Sequence, residues 1–326
     1  MLVTQKRPRD LNWYHAGPLL FGDWGTSRLY VLGLAFYYTG HASVLYLGCI
    51  SAIMIAVAWA YTVVCRSFPD GGGVYTAARQ LSPTLSVIGA TLLLCDYIVT
   101  AGLSAVEAFH YFGVPHHLTV ACCIVAILGI GVINWLGARS AGRFALFIAI
   151  VAIVASAVIG IMCIPFLADG LRSVSLSADH ATGPFQRWES LVRLVLALAG
   201  VEAVANMTGL MKQPVAKTSK RTIWPVLIEV VLLNLVFGLA INALPQLLNV
   251  QTPHYAVYEL GQNTLGEGGV GVAVSSEDVP LEVKAYRDTA VKMLAIHSGQ
   301  YWLGERVGLW FGLAAGGIFA LLLISA

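Results

Sequence analysis

Eight apolar runs dominate this sequence, covering residues 12–39, 43–65, 83–110, 117–137, 142–168, 189–211, 222–246 and 305–326. Each is close to the ~20 residues a helix needs to cross ~30 Å of hydrocarbon. They are too long for barrel strands and lack period-two alternation, so helices are the spanning structure that satisfies their backbone. Only 11% of the 326 residues are charged, and 58% are hydrophobic. A soluble domain carries roughly 25% charged residues. The charges also fall in blocks between the apolar runs. The expected fold class is therefore an all-α membrane protein, with residues 1–326 forming one transmembrane domain.

Lys and Arg set the expected orientation. With the N-terminus in the cytoplasm, the inner side holds Lys6, Arg7, Arg9, Arg66, Arg79, Arg139, Arg143, Lys212, Lys217, Lys220 and Arg221. The short outer loops hold Arg172 and Arg187. This asymmetry predicts a cytoplasmic N-terminus in the plasma membrane. The basic start, Met1 to Asp10, is followed by Asn12 and His15, which do not suit a cleavable signal.

The outer segment 247–304 is long. Its Gly-rich centre, Gly261 to Val274, predicts loose chain. After Asp278-Val279-Pro280, an apolar side of Leu281, Tyr286, Val291 and Leu294 predicts a surface helix capping the outer mouth. A disordered loop is the alternative. The sequence stops at Ala326 inside an apolar run, which predicts that the natural chain continues. Cys49, Cys65, Cys95, Cys122, Cys123 and Cys163 all sit in apolar stretches without ligand spacing. They read as small hydrophobes, with no metal, disulfide or cofactor expected. No catalytic constellation or nucleic-acid-binding pattern stands out.

Acids inside membrane helices are costly and mark sites or pathways. Asp23 lies in Gly22-Asp23-Trp24-Gly25-Thr26-Ser27. Gly22 and Gly25 weaken the helix, and Thr26 or Ser27 would cap a restarted one. A break there would expose carbonyls that suit a cation and N–H groups that suit a carboxylate. The alternative is a kinked helix with Asp23 at the water interface, paired with Arg28. In the third run, Asp96, Thr100, Leu103 and Glu107 share one helical face, with Tyr97 adjacent. Glu107 could equally be interfacial. In the sixth run, Gly200-Val201-Glu202-Ala203 precedes Asn206. Glu202 could carry a proton or could simply bridge helices. Glu229 reads as interfacial. The loop Pro69-Asp70-Gly71-Gly72-Gly73-Val74-Tyr75 lacks the lysine of a nucleotide-binding loop and reads as a tight re-entrant turn.

Together these motifs resemble the amino acid–polyamine–organocation (APC) superfamily, with its LeuT-type fold. Gly22-Asp23-Trp24-Gly25-Thr26-Ser27-Arg28-Leu29-Tyr30 is similar to the G-D-I-G-T-S-P-L-Y run of KUP potassium transporters. Phe68 to Tyr75 resembles the superfamily's P-x-G-G-x-Y loop, and Asp96-Tyr97-Ile98-Val99-Thr100 the D-Y-I-L-T of KimA-type potassium importers. Gly200-Val201-Glu202-Ala203 resembles the sixth-helix G-x-E-A. The resemblance implies inverted repeats, here 12–168 and a partial 189–326, with helices 1 and 6 broken at the site. It implies a cation site of Asp23, Tyr30, Tyr97 and Thr100. Glu202 and Asp96 would handle the coupling proton, and Gly22, Gly25, Thr26, Gly200 and Asn206 would support the site. Ala199 stands where a Thr ligand is expected, and Arg28 replaces the Pro of the KUP run.

Three functions follow. The first is proton-coupled uptake of a monovalent cation, K⁺ above all. The second is an amino acid permease, with the substrate carboxylate on half-helix N–H groups and its amine on Glu202 or Asp96. The third is a non-transporting sensor or partner subunit. The expected partners are a small-molecule or ion substrate, H⁺ and the lipid bilayer, with homodimerisation left open and no nucleic acid. An enzyme is not expected.

Overall fold

The computed structural model describes residues 9–135, 138–175, 183–243 and 287–325. The first span comprises α1 (Trp13–Leu20), a π-helical turn (Phe21–Gly25) and α2 (Ser27–Thr39). Gly40, at φ 52°, ends it, and α3 (Ser43–Ser67) follows. A short α4 (Gly73–Leu81) precedes α5 (Pro83–Phe112), the third span. Ser82 starts α5 by accepting the Leu85 N–H, with Pro83 in the first turn where its missing donor costs nothing.

Next come α6 (His116–Trp135) and α7 (Ala138–Cys163), the latter running on through a 3₁₀ turn into α8 (Leu167–Arg172). The sixth span is α9 (Pro184–Leu194), a 3₁₀ turn (Val195–Leu198) and, after an interruption, α10 (Ala203–Met207). Then follow α11 (Val215–Asn242), α12 (Ala290–Leu303) and α13 (Glu305–Ser325).

Among the described residues six stretches are long and apolar enough to cross a membrane, and the first, Trp13–Ser67, is 55 residues and holds two passes divided at Gly40. With α6, whose apolar part is shorter (His117–Val132), all the runs predicted from sequence are helical among the described residues. No strand occurs among those residues. Large apolar side chains such as Leu92, Ile98 and Val99 on α5 and Val120, Val125 and Leu128 on α6 point outward. In a bilayer that is their natural solvent, whereas in water so much exposed apolar surface would drive association. All six cysteines are free thiols.

The centre of the bundle is α11, which lies against α1, α2, α3 and α7. One end carries most of the basic residues and is tied down by backbone. Leu11 donates to the Leu210 carbonyl and accepts from the Lys212 N–H (each 2.9 Å). The glycine loop seats on the same place: Gly71 (φ 99°) lies on Gly209, and Gly73 backs directly onto Ala205. A Cβ at 73 would collide with Ala205, and one at 71 would be strained by the positive φ, so the tight-turn reading of these glycines fits the structure.

The predicted cap takes a different form. Leu281, Tyr286 and the Gly261 to Val274 stretch lie outside the described residues, and α12 begins at Ala290. Val291 and Leu294 are fully buried. Helix α12 lies antiparallel along α13, with Gly299 against Gly308 and Ile296 against Gly312. Lys292 Nζ donates to the Tyr111 carbonyl (3.0 Å), and Trp302 Nε1 to that of Met162 (3.0 Å). The segment is thus docked into the bundle rather than lying on its surface.

Candidate functional site

The first and sixth spans are both interrupted, in different ways. In the first, residues 21–25 widen into a π-turn whose backbone stays helical, and Thr26 continues in the right-handed region. Thr26 and Ser27 do not cap a restarted helix, as the sequence suggested. Thr26 Oγ1 donates to the Asp23 carbonyl (2.8 Å) and Ser27 Oγ to that of Trp24 (2.7 Å). A π-turn frees carbonyls from their usual N–H partners, and these hydroxyls take them up. Gly25 is required because a Cβ there would strike the Phe21 ring at 2.6 Å. Gly22 is buried within the same turn.

The sixth span is fully broken. Ala199 is extended (φ −57°, ψ 141°) and Gly200 has φ 101°. Glu202 turns its carboxylate back onto the Gly200 N–H, both oxygens at 3.1 Å. The N–H of Val201, entering α10, has no backbone acceptor among the described residues, while that of Glu202 meets its own carboxylate.

The two interruptions touch. A Cβ on Gly200 would lie 2.8 Å from Asp23 Cγ and 2.9 Å from the Trp24 nitrogen. Around this contact the structure gathers most of the residues singled out by sequence. The charged groups acting on Asp23 are Glu202 and Asp96, both acids. Asp96 also acts on Glu202. Tyr97 accepts a 2.7 Å hydrogen bond from Asn206 Nδ2 and lies within electrostatic reach of Glu202 and Asp23. Tyr30 is buried within reach of Asp23 and Asp96, and neither its hydroxyl nor that of buried Thr100 finds a partner among the described residues. The acids do not converge as a set of metal ligands among the described residues.

Arg28 does not join this group. Fully buried, it directs Nη1 at both oxygens of Glu229 (2.7 Å each) and Nη2 at Ser156 Oγ (3.4 Å), beneath the Phe21 ring. The alternative in which Arg28 pairs with Asp23 is not the one found, and Glu229, expected as an interfacial acid, is instead the partner of a buried arginine. An arginine with no water to solvate it needs a carboxylate, and Glu229 supplies one from α11. Glu107 sits near the end of α5 beside His110 (3.4 Å) and, of the residues around Asp23, lies within electrostatic reach of Tyr30.

Two contributors escaped the sequence reading. Tyr61 on α3 lies within reach of Glu202 and Asp96. Ser104 extends the Asp96–Thr100 stripe by one turn of α5, buried and without a partner among the described residues. The i, i+4 spacing of Ser104 from Thr100 was a usable signal; a lone tyrosine in an apolar run was not.

Residues 11–260 match a family described as amino acid permease. No curated protein matches the sequence.

Proposed function

We propose that this chain, which belongs to the amino acid permease family, binds the protonated amine of its substrate among Asp23, Asp96 and Glu202. Family and fold make it an integral membrane transporter of the APC type. The observation that carries the substrate reading is charge. Three carboxyl groups act on one another inside an apolar bundle, while the nearest buried cation, Arg28, is engaged by Glu229. Uncompensated acids are costly in such surroundings, and an ammonium group relieves the cost.

The Val201 N–H lies at the opening of α10 without a backbone acceptor among the described residues, where a substrate carboxylate gains from the half-helix dipole. Amine and carboxylate partners on one broken helix suit an amino acid. Glu202 and Asp96, already in mutual contact, would hold the coupling proton when the site is empty. The excess of Lys and Arg at the end with Arg9, Arg66, Lys212 and Lys217 favours that end, and the N-terminus with it, on the cytoplasmic side of the plasma membrane.

Potassium uptake is the second reading, favoured by the unpartnered hydroxyls of Tyr30 and Thr100 beside the acids. Against it, the Asp23 and Trp24 carbonyls already accept side-chain hydroxyls. The experiment is uptake into proteoliposomes of labelled neutral amino acids, basic amino acids and rubidium, for wild type and Asp23→Asn. Amine-bearing solutes should enter with wild type and fail with Asp23→Asn. Rubidium uptake without amino acid uptake would establish the second reading, and uptake indifferent to Asp23 would remove the site.

A further inference from the structure

A groove of about 340 Å³ runs beside the first span, separate from the Asp23 group, between α1, α7 and α11. Its walls are apolar, and several face outward: Trp13 is 45% exposed, Ile150 52% and Ile153 38%. The groove therefore opens toward lipid. Its floor is Phe21 of the π-turn and Glu229, whose side chain is 18% exposed while its oxygens hold Arg28. Its other end is Arg221, exposed on α11. Eight residues of helix separate Arg221 from Glu229, about 12 Å at the α-helical rise. Lys217 lies one turn before Arg221 and Lys220 beside it, both exposed.

We propose that an anionic phospholipid occupies this groove, with its phosphate on Arg221 and one acyl chain lying along α11 to Phe21. Charge complementarity selects the headgroup. The polar end is lined by Arg221, with exposed Lys217 and Lys220 within a turn of it on the same helix, and the first turn of α11 has no acid. Apolarity selects the chain, since a polar ligand would find no hydrogen-bond partners along Ala149, Ile150, Ile153 and Val226. The acyl chain has two effects. It keeps water from the Arg28–Glu229 pair, which strengthens the attraction between them. It also packs against Phe21, so the lipid supports the π-turn of the first span from the bilayer side. Neither effect depends on which substrate the Asp23 group takes.

The test is native mass spectrometry of the full chain purified in mixed phosphatidylcholine and phosphatidylglycerol. Two variants at exposed positions accompany it, Arg221→Ala and Ile153→Trp, the latter filling the groove from the lipid side. Phosphatidylglycerol should stay bound to wild type in preference to phosphatidylcholine. Arg221→Ala should lower that preference about fivefold, the value of one basic residue near an anionic headgroup. Ile153→Trp should release the lipid while leaving the melting temperature of the delipidated protein unchanged. Equal retention of the two lipids by wild type, or undiminished phosphatidylglycerol on either variant, overturns the proposal.

Discussion

Asp23 and Gly200 occupy one another's space: the carboxyl carbon of Asp23 lies 2.8 Å from where a Cβ on Gly200 would stand. The glycine is needed twice over, since its φ of 101° also lies in the region L side chains avoid. The contact brings the π-turn of the first span against the break of the sixth, so the acid of one meets the freed backbone of the other. A methyl group at 200 must move Asp23, Trp24 or both.

Gly200→Ala is therefore expected to abolish substrate uptake, with loss greater than tenfold, while the protein still inserts. Gly48→Ala is the control, because a Cβ at 48 meets nothing within 4 Å. It should transport at the wild-type rate. Uptake by membranes of matched expression level checks both.

Breaking the Arg28–Glu229 pair should be felt in stability more than in recognition. Removing one partner of a buried ion pair costs about 3–5 kcal/mol, because the other is stranded. Glu229→Leu should therefore lower the melting temperature in detergent sharply, with Arg28 left to Ser156 alone. Arg28→Met combined with Glu229→Leu should recover most of the loss. Additive destabilisation in the double variant would show that the two side chains contribute separately.

Tyr97→Phe removes the acceptor of a 2.7 Å hydrogen bond from Asn206. A net contribution of about 1 kcal/mol per hydrogen bond corresponds to a roughly fivefold change in affinity. KM should rise by about that factor while the maximal rate holds. Asp96→Asn, which removes an ionisable group, should instead lower the maximal rate.

The α12–α13 contact depends on small residues, because a Cβ on Gly308 would run into the backbone of Gly299 and Gln300. Gly308→Leu should lift α12 from the bundle. Cys163 is buried and sits against Ser298 of α12. In a background where it is the sole cysteine, a membrane-permeant maleimide should label it slowly in the parent and quickly in the Gly308→Leu variant.

The spans were legible because a bilayer enforces length and apolarity, signals carried by neighbouring residues along the chain. The interruption of the first span was legible because Gly22 and Gly25 are poor helix formers around an acid, a local conflict visible without a structure, whereas that of the sixth was expected only from the family resemblance. What lay beyond the sequence was partnership. Arg28 and Glu229 are 201 residues apart, so Arg28 looked like the natural partner of Asp23, five residues away. The hydroxyls of Thr26 and Ser27 could either cap N–H groups or occupy carbonyls. Only the unbroken right-handed backbone through residue 26 decides for the carbonyls. Tyr61 entered the site through the packing of α3, which leaves no mark on its own stretch of sequence.

The pairing of Arg28 with Glu229 has an electrical consequence. Two opposite charges held 2.7 Å apart move together and carry no net charge through the membrane field. Under the proposed function, work done by the membrane voltage, about 2.3 kcal/mol per elementary charge per 100 mV, would instead fall on Asp23, Asp96, Glu202 and the substrate they bind. The Arg28–Glu229 pair is thus the electrically silent part of the bundle's interior.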